Sequence, residues 1–279
     1  MIDFLFSIIR FIRPLNLFLG ILTCIIVSYK LDFNSYKQLF DICVVLLCYM
    51  VAGNMLNDVV DINIDRINKP NRFLIRYPIN KIFIIVIIII IFSLGSFIVL
   101  RLSILAQQLT FLFILPLMIL YELYFKRQPL VGNIFISLLV GSVFIFTDAS
   151  LNNSISTTWP IFILAFFLNL IREIIKDMQD IRGDKKYNYH TLPISMGVSP
   201  TITILRILTI TFIIISLSPL YTDSYSLYYI PLILFSIHIP LLYIMWKLRI
   251  NITTKECDHF SKLLKAMIIN GIIIILLTS

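Results

Sequence analysis

The feature that most restricts the fold of this chain is its series of long apolar segments. A helix needs roughly 20 apolar residues to cross the hydrocarbon core of a bilayer. Nine segments reach or approach this length: 14–29, 39–57, 81–100, 103–123, 131–147, 158–176, 202–219, 226–246 and 263–278. With 59% hydrophobic and only 14% charged residues among 279, the chain carries more apolar surface than one soluble core buries. We therefore expect an all-α polytopic membrane protein with nine transmembrane helices.

The lysines and arginines predict how these helices are oriented, because the cytoplasmic loops of membrane proteins carry an excess of both residues. If the N-terminus is cytoplasmic, 20 of the 23 lie in cytoplasmic segments, among them Arg10 and Arg13 before the first span. The opposite side then holds only Lys30, Lys37 and Arg101. The net charge of +8 is thus explained by topology, and binding to nucleic acid is not needed to account for it.

A group of polar residues follows directly on the second apolar segment. On a helix, Asn57, Asp61 and Asp65 lie on adjacent turns of one face, and Asp58 lies at the edge of that face. Placing a carboxylate in a membrane costs free energy, so an acid at such a position indicates a function. A helix face with three like charges is stable only if a cation binds to it, so this group predicts a cation site.

A second group repeats the pattern after the sixth apolar segment. Asp177, Asp180 and Asp184 have the same 3-then-4 spacing as the first three aspartates, 119 residues further along the chain. Together with Glu173 they fall within an arc of about 60° on a helix. Each group comes at the end of an even-numbered span, and under the predicted topology both are cytoplasmic. We therefore expect two four-helix halves that each supply one group, with a ninth helix added.

Two carboxylate groups bordered by arginines and lysines suit a polyphosphate that is bound through Mg²⁺. Magnesium prefers oxygen ligands and combines a few carboxylates with waters and substrate phosphates. The neighbouring cations bind phosphate oxygens directly. Because the site borders lipid, the substrate should also have a long apolar part, and an isoprenyl diphosphate meets both conditions. Breaking its allylic C–O bond places negative charge on the diphosphate, where Mg²⁺, lysine and arginine stabilise it. The allylic cation is then attacked by an acceptor.

Several motifs in order along the chain resemble the UbiA-type intramembrane prenyltransferases. Residues 57–65 resemble the NDxxDxxxD signature of this family, and residues 177–184 resemble its second aspartate motif, DxxxD. Residues 121–127 (Tyr-Glu-Leu-Tyr-Phe-Lys-Arg) are similar to its Tyr/Lys loop, and the family's Gly-Asn pair follows at 132–133. The N-terminal Arg-Pro-Leu-Asn at 13–16 also fits. The resemblance implies a Mg²⁺-dependent prenyltransferase, folded as a single membrane domain over residues 1–279 with a central cavity open to the membrane.

Carried over residue by residue, the resemblance implies a role for each matching polar residue. The metal ligands are Asp58, Asp61, Asp65, Asp177, Asp180 and Asp184. The catalytic residues are Asp61, Asp65, Asp180, Asp184 and Lys126. The residues that bind the diphosphate or its metal are Asn57, Asp58, Asp177, Arg72, Tyr121 and Asn16. The alternatives are a lysine that extends to the interface for Lys126, a plain cytoplasmic charge for Arg72, and a polar contact between helices for Asn16.

Two further stretches bear on the acceptor. Residues 67–72 (Ile-Asn-Lys-Pro-Asn-Arg) resemble the INKPxR of digeranylgeranylglyceryl phosphate synthases and of chlorophyll and homogentisate prenyltransferases. Residues 172–184 (REIIKDMQDIRGD), continuing to Thr-Leu-Pro at 191–193, look most like the first of these. That resemblance implies transfer of geranylgeranyl to the hydroxyl of geranylgeranylglyceryl phosphate, which gives an ether lipid. Residues 73–76 (Phe-Leu-Ile-Arg) depart from the usual Pro-Leu/Ile-Pro-Ser-Gly, so the acceptor stays open.

Three alternatives therefore remain. The nearest is the same prenyl transfer to an aromatic acid of the hydroxybenzoate or naphthoate type, on the way to a quinone. A haem-modifying farnesyltransferase fits the motifs less well. From another class, a cation-coupled transporter also uses acids near repeat interfaces, but its site usually lies near the bilayer midplane on broken helices. The acids of this chain lie instead at the cytoplasmic ends of spans. Prenyl chain length and oligomeric state have no readable pattern in the sequence.

Overall fold

The computed structural model describes residues 7–9, 11–33, 35–218 and 226–278. Arg10, which contributes to the predicted orientation, and Pro219, the last residue of the predicted span 202–219, lie outside these described residues. Nearly all of the described chain is helical, and no β-strand occurs in it. The predicted all-α class is therefore confirmed.

From residue 14 onward the chain forms a series of helices joined mostly by short loops. They are α1 (Pro14–Lys30), α2 (Tyr36–Val60), α3 (Ile62–Asn68), α4 (Phe73–Arg76), α5 (Lys81–Val99), α6 (Ile104–Leu123), α7 (Val131–Asn152), α8 (Trp159–Lys186), α9 (Leu192–Ser195), α10 (Val198–Ser216), α11 (Tyr229–Lys247) and α12 (Thr254–Thr278). A 3₁₀ turn, Phe125–Arg127, precedes α7. Helices α6 and α11 each contain a π-helical turn that ends two residues before a proline, which has no N–H to donate and needs a wider turn beside it.

Seven of the helices in the described residues are long and apolar enough to cross a membrane: α2, α5, α6, α7, α10, α11 and α12. The other two predicted spans coincide with α1 and α8. Helix α1 is apolar but has only 17 residues. Helix α8 has 28 residues, but Arg172, Glu173 and Lys176 lie within its first 18. The chain is an integral membrane protein, whereas the count of nine crossings stays a prediction.

The chain forms two compact units, and α7 belongs partly to each. The first unit comprises residues 1–124 and 142–158, and the second comprises residues 125–141 and 159–279. The two ends of α7 have different partners. Near its start, Asn133 donates to Asp177 of α8, whereas further along Thr147 lies 3.4 Å from Sγ of Cys24 in α1. The division therefore falls within the fifth predicted span rather than before it.

In the first unit, α2 packs between α1 and α5 and carries the first acid group at its end. Ile42 and Val45 of α2 are fully buried in the core of this unit. At Gly95 of α5, an added Cβ would lie 3.0 Å from Cβ of Cys48, so the glycine permits the close approach of the two helices. This packing holds the C-terminal end of α2 in place.

In the second unit, α8 packs against α10 and α12 and carries the second acid group. Ile171, Ile174 and Ile175 are fully buried in the core together with Leu205 of α10 and Leu264 of α12. At 100° per residue these isoleucines share one face of α8, and the acids at 173, 177, 180 and 184 fall on the opposite face. The hydrophobic core therefore determines which way the acid face is turned.

Candidate active site

The first acid group, residues 57–65, lies where α2 ends and α3 begins. Asp61 separates the two helices with φ −86° and ψ 2°, a sparsely allowed conformation in which many active-site residues are found. The hydrogen-bond ladder nevertheless continues, since the N–H of Asp61 bonds the Asn57 carbonyl at 2.9 Å and the N–H of Asp65 bonds the Asp61 carbonyl at 2.8 Å. The predicted i, i+4 order of Asn57, Asp61 and Asp65 is thus kept, although α2 ends at Val60 and α3 begins at Ile62.

Two arginines neutralise acids of this group. Arg13, just before α1, and Arg72, just before α4, both donate to Oδ1 of Asp58. Arg72 Nη1 also lies 3.3 Å from Oδ2 of Asp65. Asp58 and Asp65 are 4% and 3% exposed, and a buried carboxylate without a cationic partner is strongly destabilising. The predicted phosphate contact of Arg72 stays a prediction, because in this structure its guanidinium binds two carboxylates.

Sequence reasoning placed Arg13 in a motif but assigned it no role. Its backbone is left-handed, with φ 57° and ψ 63°, a conformation that non-glycine residues rarely adopt and that a following proline further disfavours. Holding a residue there costs on the order of 1–3 kcal/mol. The side chain offsets this cost, because its Nη2 donates to Asp58 and, at 2.8 Å, to Oδ1 of Asn57.

Asn57 connects this cluster to α6. Its Nδ2 donates to Oε1 of Glu122 at 3.1 Å, and Glu122 is 6% exposed near the end of α6. Sequence reasoning missed Glu122, since the 65 residues between it and Asn57 leave no local pattern. The neighbouring Tyr121, a predicted site residue, is 8% exposed and belongs to the same unit.

Burial and neighbouring charges shift the pKa of Asp65 in the first acid group. Burial raises the pKa of Asp65, the charges of Arg72 and Lys69 oppose this shift, and the neighbouring Asp61 and Asp58 raise the pKa further. Asp61 and the predicted site residue Asn16 are both partly exposed. A bound cation would relieve the carboxylate repulsion that contributes to this pKa shift.

The second acid group lies on α8, which runs without interruption from Trp159 to Lys186. Asp177 accepts a hydrogen bond of 2.7 Å from Nδ2 of Asn133 in α7. Asp180 is partly exposed, and Asp184 is 7% exposed. The structure thus confirms that these acids share one helix, and it identifies Asn133 as the side chain that holds Asp177.

Local ion pairs balance the remaining acid of α8. Oε1 of Glu173 lies 2.6 Å from Nη1 of Arg172, and its Oε2 lies 2.6 Å from Nζ of Lys176. Four residues before Glu173, Nδ2 of Asn169 donates to Oγ of Ser137 in α7 at 3.2 Å. A polar strip between α7 and α8 thus continues from the acid group into the apolar part of the helix.

Lys126 lies in the 3₁₀ turn before α7 and belongs to the second unit. Its side chain is partly exposed. At Gly132 an added Cβ would lie only 2.7 Å from the carbonyl oxygen of Phe125, so the glycine lets this turn lie directly against the start of α7. The two residues of the Gly-Asn pair therefore have separate tasks, since Gly132 accommodates the turn that carries Lys126 and Asn133 holds Asp177.

The donors of both groups suit a metal that is completed by its substrate. Among the described residues, no three His, Cys, Asp or Glu side chains come together as a group that could hold a metal ion. Mg²⁺ seldom uses an all-protein cage and instead combines one or two carboxylates with waters and substrate phosphates. The carboxylate and amide oxygens of the two groups therefore fit Mg²⁺ bound together with a phosphate ligand.

Two digeranylgeranylglyceryl phosphate synthases are similar to this chain over most of its length. It is 31% identical over 236 residues to the digeranylgeranylglyceryl phosphate synthase of Methanosphaera stadtmanae, covering 81% of this chain and 82% of that protein. It is 34% identical over 233 residues to the enzyme of the same name from Thermococcus sibiricus, covering 81% of each. These similarities agree with the resemblance found in residues 172–184.

Solved structures with the same fold cover nearly the whole chain. A structure of digeranylgeranylglyceryl phosphate synthase has a TM-score of 0.78 and 26% identity, covering 99% of this chain and 98% of that one. A UbiA homologue from Archaeoglobus fulgidus, bound to DMAPP and Mg²⁺, has a TM-score of 0.69 and covers 95% of this chain and 98% of that one. At 18% identity it shows the fold alone. The profile of the UbiA prenyltransferase family matches residues 17–267, and the chain therefore belongs to the UbiA prenyltransferase family.

Proposed function

We propose that this prenyltransferase transfers a geranylgeranyl group from its diphosphate to the free hydroxyl of geranylgeranylglyceryl phosphate and so forms an ether lipid. The observation that carries the proposal is the similarity, over 81% of the chain, to proteins named digeranylgeranylglyceryl phosphate synthase. In the transfer, the acceptor oxygen forms the new C–O bond and gives up its proton. The diphosphate leaves with the electron pair of the old C–O bond.

The six aspartates of the two acid groups and Asn57 are our candidates for binding the diphosphate through Mg²⁺. Their oxygen donors are of the kind that Mg²⁺ prefers, and the A. fulgidus homologue was solved with DMAPP and Mg²⁺, while a related structure holds GPP and Mg²⁺. When bound, Mg²⁺ would stabilise the negative charge that the diphosphate gains as the allylic C–O bond breaks. The isoprenyl diphosphate is therefore our proposed donor substrate.

Cationic side chains of the chain would stabilise the same negative charge on the leaving diphosphate. Arg72 is already ordered by Asp58 and Asp65, so a phosphate oxygen that approaches it meets a guanidinium held in place. This preorganisation lowers the entropy cost of binding. We assign Lys126 to the leaving diphosphate, and Tyr121 and Asn16 to binding of the prenyl diphosphate.

A second acceptor class is favoured by one departure from the family pattern. Where the family usually has a Pro- and Ser-Gly-containing loop, Phe73 and Leu74 of α4 are 6% and 4% exposed in the core of the first unit. The Phe73 ring lies 5.1 Å from that of Phe11. Buried aromatic packing here replaces a loop that could shape acceptor choice, so an aromatic acid is the alternative acceptor. A cation-coupled transporter has no support from the family to which the chain belongs.

The acceptor is tested with membranes that contain the full chain. Labelled geranylgeranyl diphosphate and Mg²⁺ are supplied with geranylgeranylglyceryl phosphate or with hydroxybenzoate or naphthoate acids, and Asp61→Asn serves as the inactive control. We expect a labelled diether phospholipid that is absent from the control. A labelled aromatic product instead would move the chain to quinone synthesis, and no product with any acceptor would contradict the proposed function.

The orientation of the protein is part of the same proposal. From the distribution of lysine and arginine we infer that the N-terminus and both acid groups are cytoplasmic. The match of one family profile to residues 17–267 supports our proposal of a single prenyltransferase domain. Reporter fusions within the loop 66–80 should report a cytoplasmic location. An external location would overturn this topology.

A further inference from the structure

One buried acid of the first unit has no role in the proposed chemistry. Glu122 is 6% exposed and is the last residue but one of α6. A negative charge near a helix C-terminus is opposed by the helix dipole, and burial further disfavours a carboxylate. Neither helix stability nor hydrophobic packing therefore accounts for an acid at this position, and its reason must lie in what it contacts.

Glu122 contacts the first residue of the acid motif. Its Oε1 accepts a hydrogen bond of 3.1 Å from Nδ2 of Asn57. On its other side the same amide is engaged by Arg13, whose Nη2 donates to Oδ1 of Asn57 at 2.8 Å. The Asn57 amide is thus held between an acceptor from α6 and a donor from the N-terminal segment.

These two partners allow only one orientation of the amide. A carboxylate only accepts hydrogen bonds, and a guanidinium only donates them. If the Asn57 amide were flipped, its NH₂ would face Arg13 and its oxygen would face Glu122, so both hydrogen bonds would become repulsive contacts. Glu122 and Arg13 therefore determine together which way the amide oxygen of Asn57 points.

The contact extends from Asn57 into the rest of the acid group. Arg13 donates both to Asn57 and to Oδ1 of Asp58, and Arg72 bridges Asp58 to Asp65. A continuous path of hydrogen bonds and ion pairs thus runs from Glu122 to Asp65 within the first unit. We propose that Glu122 is a positioning residue, which fixes the Asn57 amide and through it the first acid group for binding of the Mg²⁺-diphosphate. This inference rests on the proposed function and adds a residue outside the aspartate motifs.

Two substitutions of Glu122 distinguish the effect of its hydrogen bond from the effects of its size and its charge. Glu122→Gln keeps an oxygen that accepts from Asn57, whereas Glu122→Leu removes the acceptor and leaves a side chain of similar size. Groups that orient metal ligands typically contribute 10- to 100-fold to metal affinity. We therefore expect Glu122→Leu to raise the Mg²⁺ concentration for half-saturation by about 10- to 100-fold, and Glu122→Gln to recover most of the affinity.

The measurement uses the full chain in detergent and has two readouts. The first is the rise in melting temperature caused by geranylgeranyl diphosphate as Mg²⁺ is titrated, and it needs no acceptor and no turnover. The second is the Mg²⁺ dependence of prenyl transfer. Glu256→Leu is the matched control, since Glu256 also accepts a side-chain hydrogen bond, from Nη2 of Arg249 at 3.0 Å, but belongs to the other unit. We expect its Mg²⁺ titration to be that of the wild type.

A reversal of the hydrogen bond tests the same contact if Glu122→Leu does not fold. Asn57→Asp places two carboxylates together and should weaken the Mg²⁺ response. Adding Glu122→Gln restores a donor and an acceptor with the original net charge, so the double variant should regain part of the response. Equal responses of Asn57→Asp with and without Glu122→Gln, or a wild-type Mg²⁺ titration for folded Glu122→Leu, would overturn the inference.

The two readouts also separate this inference from the proposed acceptor. If the wild type is stabilised by geranylgeranyl diphosphate and Mg²⁺ but transfers no prenyl group, the proposed reaction fails while the melting data still test Glu122. If Glu122→Leu binds like the wild type and the wild type forms the ether lipid, only the inference fails. Wild-type protein that shows no Mg²⁺-dependent stabilisation would overturn both.

Discussion

The two acid groups share a spacing and each has a partner from another helix, Glu122 for Asn57 and Asn133 for Asp177, but their cations are placed differently. The first lies at a break between α2 and α3, and its partners come from far along the chain, since Arg13 is 45 residues from Asp58 and Glu122 is 65 residues from Asn57. The second lies within one continuous helix, where Glu173 pairs with cations one and three positions away. The spacing thus determines which side chains share a face, whereas the tertiary partners determine how firmly each one is held.

The two groups should respond differently to the loss of a cationic side chain that pairs with them. In the first group every arginine serves two acceptors, so the loss of one side chain disturbs several contacts at once. In the second group Arg172 and Lys176 form ion pairs with Glu173, which lies outside the Asp177–Asp184 triplet. We therefore expect equal effects where an aspartate itself is altered and unequal effects where its support is altered.

The largest effect is expected when an aspartate of either group is altered. Asp61→Asn and Asp184→Asn each keep the shape of the side chain but remove the charge that Mg²⁺ requires. Each should lower prenyl transfer by at least about 100-fold, as the loss of a single charge-stabilising group does in other enzymes. Initial rates at saturating Mg²⁺ and the melting temperature of the purified protein measure activity and folding separately.

The matched control for these variants is Asp258→Asn. Asp258 pairs with Lys262 and accepts a hydrogen bond of 3.4 Å from Gln179, but it belongs to neither aspartate group, so its substitution should leave the rate unchanged. Full activity in Asp61→Asn or Asp184→Asn would remove that residue from the metal site. A loss in only one of the two would show that the groups do not contribute equally, contrary to their matching spacing.

A smaller effect is expected on stability when the cations of the two groups are compared. Arg13→Gln leaves the buried Asp58 with Arg72 alone and removes the bond to Asn57, so it should lower the free energy of unfolding by about 1–3 kcal/mol. Lys176→Gln breaks a pair in which the lysine side chain is 32% and the Glu173 side chain 11% exposed. Because Glu173 keeps its pair with Arg172, the loss should stay below about 1 kcal/mol. Thermal unfolding in one detergent compares them, and an equal or larger loss for Lys176→Gln would contradict the contrast between long-range and local support.

The helices show what hydropathy alone predicts and what it misses. Predicted and observed bounds agree closely for the first span, 14–29 against Pro14–Lys30, because the apolar run begins at a proline that is favoured at the start of a helix. For the last span the prediction began at 263, but α12 begins at Thr254. Its first turns are amphipathic, with Cys257, Phe260 and Leu264 buried at helical spacing. Hydropathy therefore located the apolar part of each helix and omitted the amphipathic extension.

Prediction of the candidate site from the sequence has a similar limit. The residues that share a face could be predicted because the side-chain period of a helix is known in advance. The resemblance to a family supplied candidate roles for matching residues. The contacts of Arg13 with Asp58 and of Glu122 with Asn57 join segments 45 and 65 residues apart, and only the packing of helices brings them together. The break at Asp61 has no signal in the sequence pattern, because the i, i+4 hydrogen bonds of Asp61 and Asp65 continue across it.

The last effect concerns the hydrogen bond that supports Asp177 in the second group. Asn133→Ala removes the 2.7 Å hydrogen bond to Asp177, but the backbone of α8 still positions the aspartate, so Mg²⁺ affinity should fall by about tenfold, the low end for groups that orient metal ligands. Asn169→Ala is the control, because it removes an amide bonded to Ser137 across the same α7–α8 interface without touching an acid of the motif. Both variants should lose similar stability, and only Asn133→Ala should shift the Mg²⁺ titration. If both shift it equally, the polar strip acts by holding the two helices together rather than by orienting Asp177.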